Sequence, residues 1–249
     1  MNAPTPTLAV DIFVRMATAV SKGETMKPHS ANDKEYFAQD WFAARLKEGK
    51  LAYNQQGRNS YPDFLVTRAA LTEGYELKAL GFTKGKPARK DIDFNSTIPS
   101  GKKGGRDVFL VFFLYTGTKA KARTVCSLAI AHADLINSDH KLADDHVNVA
   151  IHGFGSYGDG FIRDRKMYVF PHPLEIYPYG IGRSSLILPK SWNISDPRIK
   201  KVGSLQRTVS KDEVDGFTIK LRGKRGPTVT KTPATNAGVT IEFDVFELV

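Results

Sequence analysis

Apolar residues recur at helical spacing early in the chain, where Leu8, Ile12, Phe13, Met16, Ala19 and Val20 fall on one side of residues 8–20. The pattern predicts a helix that ends at Ser21-Lys22-Gly23. A second helix is predicted to open at Asn32-Asp33-Lys34-Glu35, which has the form of a capping box, and to run through Phe37, Trp41, Ala44 and Arg45 toward Gly49. Residues 54–60 are polar and read as loop. Then come two arms rich in aromatic, β-branched and other apolar residues, 61–68 and 75–80, with Thr72-Glu73-Gly74 offering the turn of an antiparallel hairpin.

Further along, residues 108–115 and 124–131 are continuous apolar runs of strand length, predicting central strands covered on both faces. Residues 133–147 mix apolar and polar positions and predict one helix or two short ones. Residues 161–170 and 217–222 read as strands, 171–197 as irregular structure with short strands, and the clean alternation of 239–248 as a final strand closing the domain. Strands interleaved with a few helices predict an α/β fold in a single domain spanning 1–249, with residues 191–249 as a possible elaboration of it.

Side chains alternate across a strand, so Glu76 and Lys78 share one face while Leu77 points to the other. Asp63 stands where the first arm begins, and antiparallel pairing can bring its carboxylate near that of Glu76. Two carboxylates in one small site repel unless one is protonated or a cation lies between them. Magnesium suits such a site because it prefers oxygen ligands, keeps several waters and is held by one or two carboxylates together with phosphate oxygens.

Charge sharpens the picture. The net charge is +10, and it is concentrated: residues 198–232 hold ten Lys/Arg against three acids, and residues 84–106 hold seven against two. That concentration is the footprint of a polyanion-binding surface, whose affinity would fall steeply with salt. In the loop after the hairpin, Lys84, Lys86, Asn95, Ser96, Lys102 and Lys103 combine amides, hydroxyls and cations suited to phosphate and base-edge contact. Near the C-terminus Lys220, Arg222, Lys224 and Arg225 form a strand running into a cationic loop. A polyanion such as nucleic acid is the expected partner.

Pro62-Asp63 followed by Glu76-x-Lys78 resembles the signature of the PD-(D/E)xK nuclease superfamily and, within it, the type II restriction endonucleases. The resemblance implies a restriction-endonuclease-like mixed central β-sheet flanked by helices, here with an additional β-rich basic C-terminal segment. It implies that Asp63 and Glu76 ligate Mg2+ with help from the Leu77 carbonyl, that Lys78 orients or helps deprotonate the attacking water, and that a homodimer acts on a palindromic site. Some relatives contribute another acid from a preceding helix, a role open here to Glu35 or Asp40. Alternatives are a repair or junction-resolving nuclease of the same core, or a DNA-binding module without catalysis.

Other signals point away from other chemistries. The single cysteine, Cys126, lies in an apolar run and reads as a packed small side chain, and one cysteine permits no disulfide within the chain. Gly153-Phe154-Gly155-Ser156-Tyr157-Gly158 satisfies a dinucleotide-binding glycine pattern, yet strand-like residues follow where that motif needs a helix. Gly101-Lys102-Lys103-Gly104 lacks the Gly-Lys-Ser/Thr ending of a phosphate loop, so no nucleotide cofactor is expected. His132, His140, His146 and His152 are scattered without one-turn spacing and read as structural. With no signal segment and no apolar stretch of membrane-spanning length, a soluble cytoplasmic protein is expected.

Overall fold

A computed structural model describes residues 3–30, 36–57, 60–83, 86–87, 91–95, 98–117, 121–145, 164–171, 182–211, 217–219, 228–230 and 233–249. In chain order these form α1 (Ala9–Ser21), β1 (Thr25–Met26), α2 (Tyr36–Glu48), β2 (Ala52–Gln55), β3 (Phe64–Arg68), β4 (Leu71–Thr83), β5 (Lys86–Pro87), β6 (Asp91–Asn95), β7 (Lys102–Lys103), β8 (Arg106–Thr116) and β9 (Arg123–His132). A 3-10 turn at Ala133–Leu135 follows, then α3 (His140–Asp145), β10 (Asp164–Pro171), β11 (Ser184–Pro189), β12 (Ile199–Thr208), β13 (Phe217–Ile219), β14 (Thr228–Thr230) and β15 (Thr240–Leu248).

Among the described residues the main sheet has eleven strands, with the path β12-β15-β11-β9-β8-β4-β3-β2 and the short β1, β5 and β7 attached to β9, β4 and β8. It is mixed: β4 runs parallel to β8 and β9 parallel to β11, while β3–β4, β8–β9, β11–β15 and β12–β15 pair antiparallel. A second sheet has the order β14-β13-β10-β6. The fold is therefore mixed α/β, dominated by one large sheet and carrying few helices.

Both faces of the main sheet are covered, as the apolar runs require. Along β8, Phe109, Val111 and Phe113 join one core with Tyr75, Leu77 and the buried faces of α1 and α2. Val108, Leu110 and Phe112 join a second core with Leu135, Ile136, Ala143 and Phe243. Aromatic rings fasten α2 to its face: Phe42 packs on Phe64 and Tyr75, and Trp41 on Phe113. At the start of α1 the carboxylate of Glu73, reaching from β4, accepts the Leu8 amide at 3.1 Å on both oxygens, placing negative charge at the positive end of the helix.

Several sequence expectations need correction. The hairpin turns at Ala69 and Ala70, with Ala69 at φ 53°, and Thr72-Glu73-Gly74 already belongs to β4. Residues 52–55, partly read as loop, pair as β2 at the sheet edge, because Tyr53 can pack on Phe64. Residues 93–95, read as part of a loop, belong to β6 (Asp91–Asn95), which pairs with β10. Within residues 171–197, read as largely irregular, β11 is a buried strand seated between β9 and β15. The capping sequence at 32–35 and the glycine pattern at 153–158 lie outside the described residues.

Candidate active site

Three local features fix the acids of the hairpin. In the register of β3 on β4, Phe64 faces Tyr75, which directs Tyr75 and Leu77 to the α1/α2 face and Gly74, Glu76 and Lys78 to the opposite one. On that opposite face the parallel neighbours of Gly74, Glu76 and Lys78 are Val108, Leu110 and Phe112. Gly74 leaves room for the Pro62 ring: a Cβ there would lie 2.5 Å from Pro62 Cγ and 3.2 Å from Val108 Cγ2. The turn that precedes β3 is thus folded onto β4 beside Glu76.

Asp63 follows Pro62 and closes this arrangement. Its Oδ2 accepts a hydrogen bond from the Leu77 amide at 2.8 Å, so its carboxylate sits against the peptide that joins Glu76 to Leu77. The β3–β4 ladder stops at Phe64 and Tyr75, and Pro62 just before it has no N–H to donate. Glu76 is 6% exposed; its Oε1 pairs with Lys78 Nζ at 2.8 Å, while Oε2 is buried with no hydrogen-bond partner among the described residues. A buried carboxylate oxygen left unmatched is costly unless a cation or water meets it.

The donor set suits a hard cation: Asp63, Glu76 and the Leu77 carbonyl supply oxygens only, and Lys78 brings positive charge beside the same carboxylate. Among the described residues no group of three or more His, Cys, Asp and Glu side chains converges as a ready-made cage. Two carboxylates with a carbonyl match the sparse ligation of magnesium, which retains much of its water.

Sequence reasoning missed Tyr61. Its hydroxyl donates to the Ser100 carbonyl at 2.9 Å and accepts the Ser100 amide at 3.2 Å. Burial pushes this phenol well above its ordinary range, and the negative charge of Glu76 adds to the effect, so the group stays a neutral donor. Also missed was a polar cluster at the neighbouring end of β8 and β9. His132 Nε2 lies 3.3 Å from Asp107 Oδ1, and His140 Nε2 lies 2.7 Å from Asp134 Oδ1, which also accepts the Gly101 amide at 3.1 Å. Burial raises the Asp107 carboxyl, but hydrogen bonds from His132 and Lys102 outweigh it and hold the group below its usual value. Gly101, where a Cβ would lie 2.2 Å from Asp134 Oδ1 and 2.4 Å from His132 Cε1, is a sequence mark of the cluster.

The remaining site residues divide by position. Lys102 and Lys103 form β7, the first arm of a tight hairpin with β8, and are exposed; Lys102 Nζ pairs with Asp107 at 2.5 Å. Lys86 and Asn95 lie on β5 and β6, and their side chains are outside the described set. Lys84, Ser96, Lys220, Arg222, Lys224, Arg225 and Glu35 lie outside the described residues, as do His146 and His152. Asp40 does not join the site: it pairs with His29, and its helix packs on the face of β4 opposite Glu76. Cys126 is half-buried, donates to the Leu114 carbonyl, and has its thiol pushed up by burial, which suits packing.

No family model, no curated protein and no solved structure matches the chain.

Proposed function

We propose that the protein is a Mg2+-dependent endodeoxyribonuclease with a restriction-endonuclease-like core, hydrolysing phosphodiester bonds of double-stranded DNA at a specific site as a type II restriction enzyme does. The observation that carries this reading is the convergence at one peptide: Asp63 on the Leu77 amide, and next to it Glu76 with a buried unmatched oxygen and Lys78 at 2.8 Å. Asp63, Glu76 and the Leu77 carbonyl would hold the cation. When bound, magnesium lowers the pKa of a water and offsets charge on the phosphorane-like transition state.

The chain's own groups do the rest. Lys78, held beside Glu76, is placed to orient the attacking water and to meet negative charge as it builds on the scissile phosphate. The exposed cations of the 102–106 hairpin, with the basic residues at 84–90 and 220–225, supply phosphate contacts. By the resemblance, cleavage leaves a 5′-phosphate and a 3′-hydroxyl, and a homodimer matches a palindromic target. No described helix is long and apolar enough to cross a membrane.

Incubation of the purified protein with plasmid and phage DNA tests the reading. Discrete fragments that require magnesium support it. Structure-specific or nonspecific cuts indicate a repair or junction-resolving enzyme instead, and DNA that is retarded but intact indicates a binding module.

A further inference from the structure

The nuclease reading leaves the 98–106 segment with only a phosphate-binding role, yet that segment is bolted to the acid turn. Tyr61 makes the bolt, because its hydroxyl donates to the carbonyl and accepts the amide of one residue, Ser100, which is 1% exposed. Beyond Ser100 the chain has little freedom. The Ser100 hydroxyl donates to the Lys102 carbonyl at 2.5 Å, the Gly101 amide donates to Asp134 at 3.1 Å, and the Val108 amide donates to the Gly101 carbonyl at 3.0 Å. A Cβ on Gly101 would lie 2.2 Å from Asp134 Oδ1 and 2.4 Å from His132 Cε1, so the segment is seated without slack. It runs directly into the tip where Lys103 faces Arg106 across Gly104 and Gly105, both at positive φ.

On its other side Tyr61 is followed by Pro62, packed on Gly74, and by Asp63, hydrogen-bonded to Leu77. We propose that Tyr61 is a positioning residue that joins the basic 102–106 hairpin to the acid turn, so that DNA phosphate held by Lys103 and Arg106 sets the placement of Asp63 beside Glu76. The inference rests on the nuclease reading and deepens it. Tyr61 acts through Ser100 on one side and Asp63 on the other. Rigid coupling matters here because a displacement of about 1 Å at a reacting centre costs on the order of 10²-fold in rate.

The test uses the full-length protein. Tyr61→Phe keeps the ring and deletes the hydroxyl with its bonds to Ser100. At saturating DNA its single-turnover cleavage rate is expected to fall on the order of ten-fold or more. The magnesium concentration giving half the maximal rate should rise, excess magnesium should restore much of the rate, and DNA affinity measured in calcium should stay within about two-fold. A merely structural role would lower the melting temperature and leave rate and magnesium midpoint unchanged below it, which would overturn the proposal. The doubly substituted Lys103→Ala, Arg106→Ala protein changes only exposed positions. It should lose maximal rate at saturating DNA as well as affinity; weakened affinity with full rate at saturation would refute the coupling. Wild-type protein that cuts no DNA in magnesium removes the nuclease reading and the coupling together, whereas active wild type with unaltered variants removes the coupling alone.

Discussion

Asp63 Oδ2 accepts the Leu77 amide at 2.8 Å, so the acid of the turn is fixed to the peptide that follows Glu76. The contact substitutes a side chain for the backbone partner that a longer β3 would have offered, and it ends the β3–β4 ladder where the site begins. Everything proposed for catalysis depends on that substitution holding Asp63 and Glu76 in one place.

Gly74 is the floor on which the turn rests. Gly74→Ala puts a methyl group 2.5 Å from Pro62 Cγ, a ring atom with little room to move. Overpacking of this kind costs about 1–3 kcal/mol, and denaturant unfolding should register a loss of that size. Cleavage should fall by more than stability alone explains, since the displaced residue precedes Asp63; a fully stable, fully active Gly74→Ala protein would contradict the packing.

Lys78 Nζ pairs with Glu76 Oε1 at 2.8 Å. Lys78→Met keeps most of the stem and removes the ammonium. The single-turnover rate should drop by a factor on the order of 10² or more, while DNA binding in calcium is retained. Retention of the wild-type rate would assign Lys78 to structure.

The 102–106 hairpin should read out in salt dependence. Lys103→Ala and Arg106→Ala each remove one exposed cation and should each reduce the slope of log K against log salt concentration by about 1, uniformly across DNA sequences. Slopes identical to wild type in binding titrations at several salt concentrations would place the DNA elsewhere.

The polar cluster beside the hairpin predicts a pH effect. The hydrogen bond to Asp134 raises His140 above its ordinary 6.5. Because the folded-state value is raised, the stabilisation is fully present below 6.5 and is lost as pH rises through the higher folded value. His140 is substantially exposed, so the effect should stay within the roughly 0–1 kcal/mol of solvent-screened pairs. Thermal melts from mildly acidic to alkaline pH should show this decline in wild type and a flatter profile in His140→Ala; equal slopes would discount the pair.

The hairpin's two arms were legible because Phe64, Val66, Tyr75 and Leu77 carry a strand's alternation, and β8 and β9 because uninterrupted apolar runs demand cover on both faces. The facing of Glu76 and Lys78 followed from the same period of two. The turn was misplaced because Gly74 looks like a turn former, whereas its lack of a Cβ serves the Pro62 ring. β11 and β12 were hidden by different causes. β11 is six residues among prolines and glycines, and β12 is an edge strand whose Lys200, Lys201 and Arg207 mask its pairing with β15. Tyr61 could not be found from sequence, since its partner is the backbone of Ser100, 39 residues away. The Asp107–His132 and Asp134–His140 contacts likewise depend on where β8, β9 and α3 end.

The most direct measurement is the magnesium-dependent cleavage rate of Asp63→Ala and Glu76→Ala, with DNA binding followed in calcium. Both substitutions should abolish cutting and leave binding, because each would remove an oxygen ligand from the proposed magnesium. Wild-type cleavage rates in both variants would contradict the assignment of these acids to a shared magnesium.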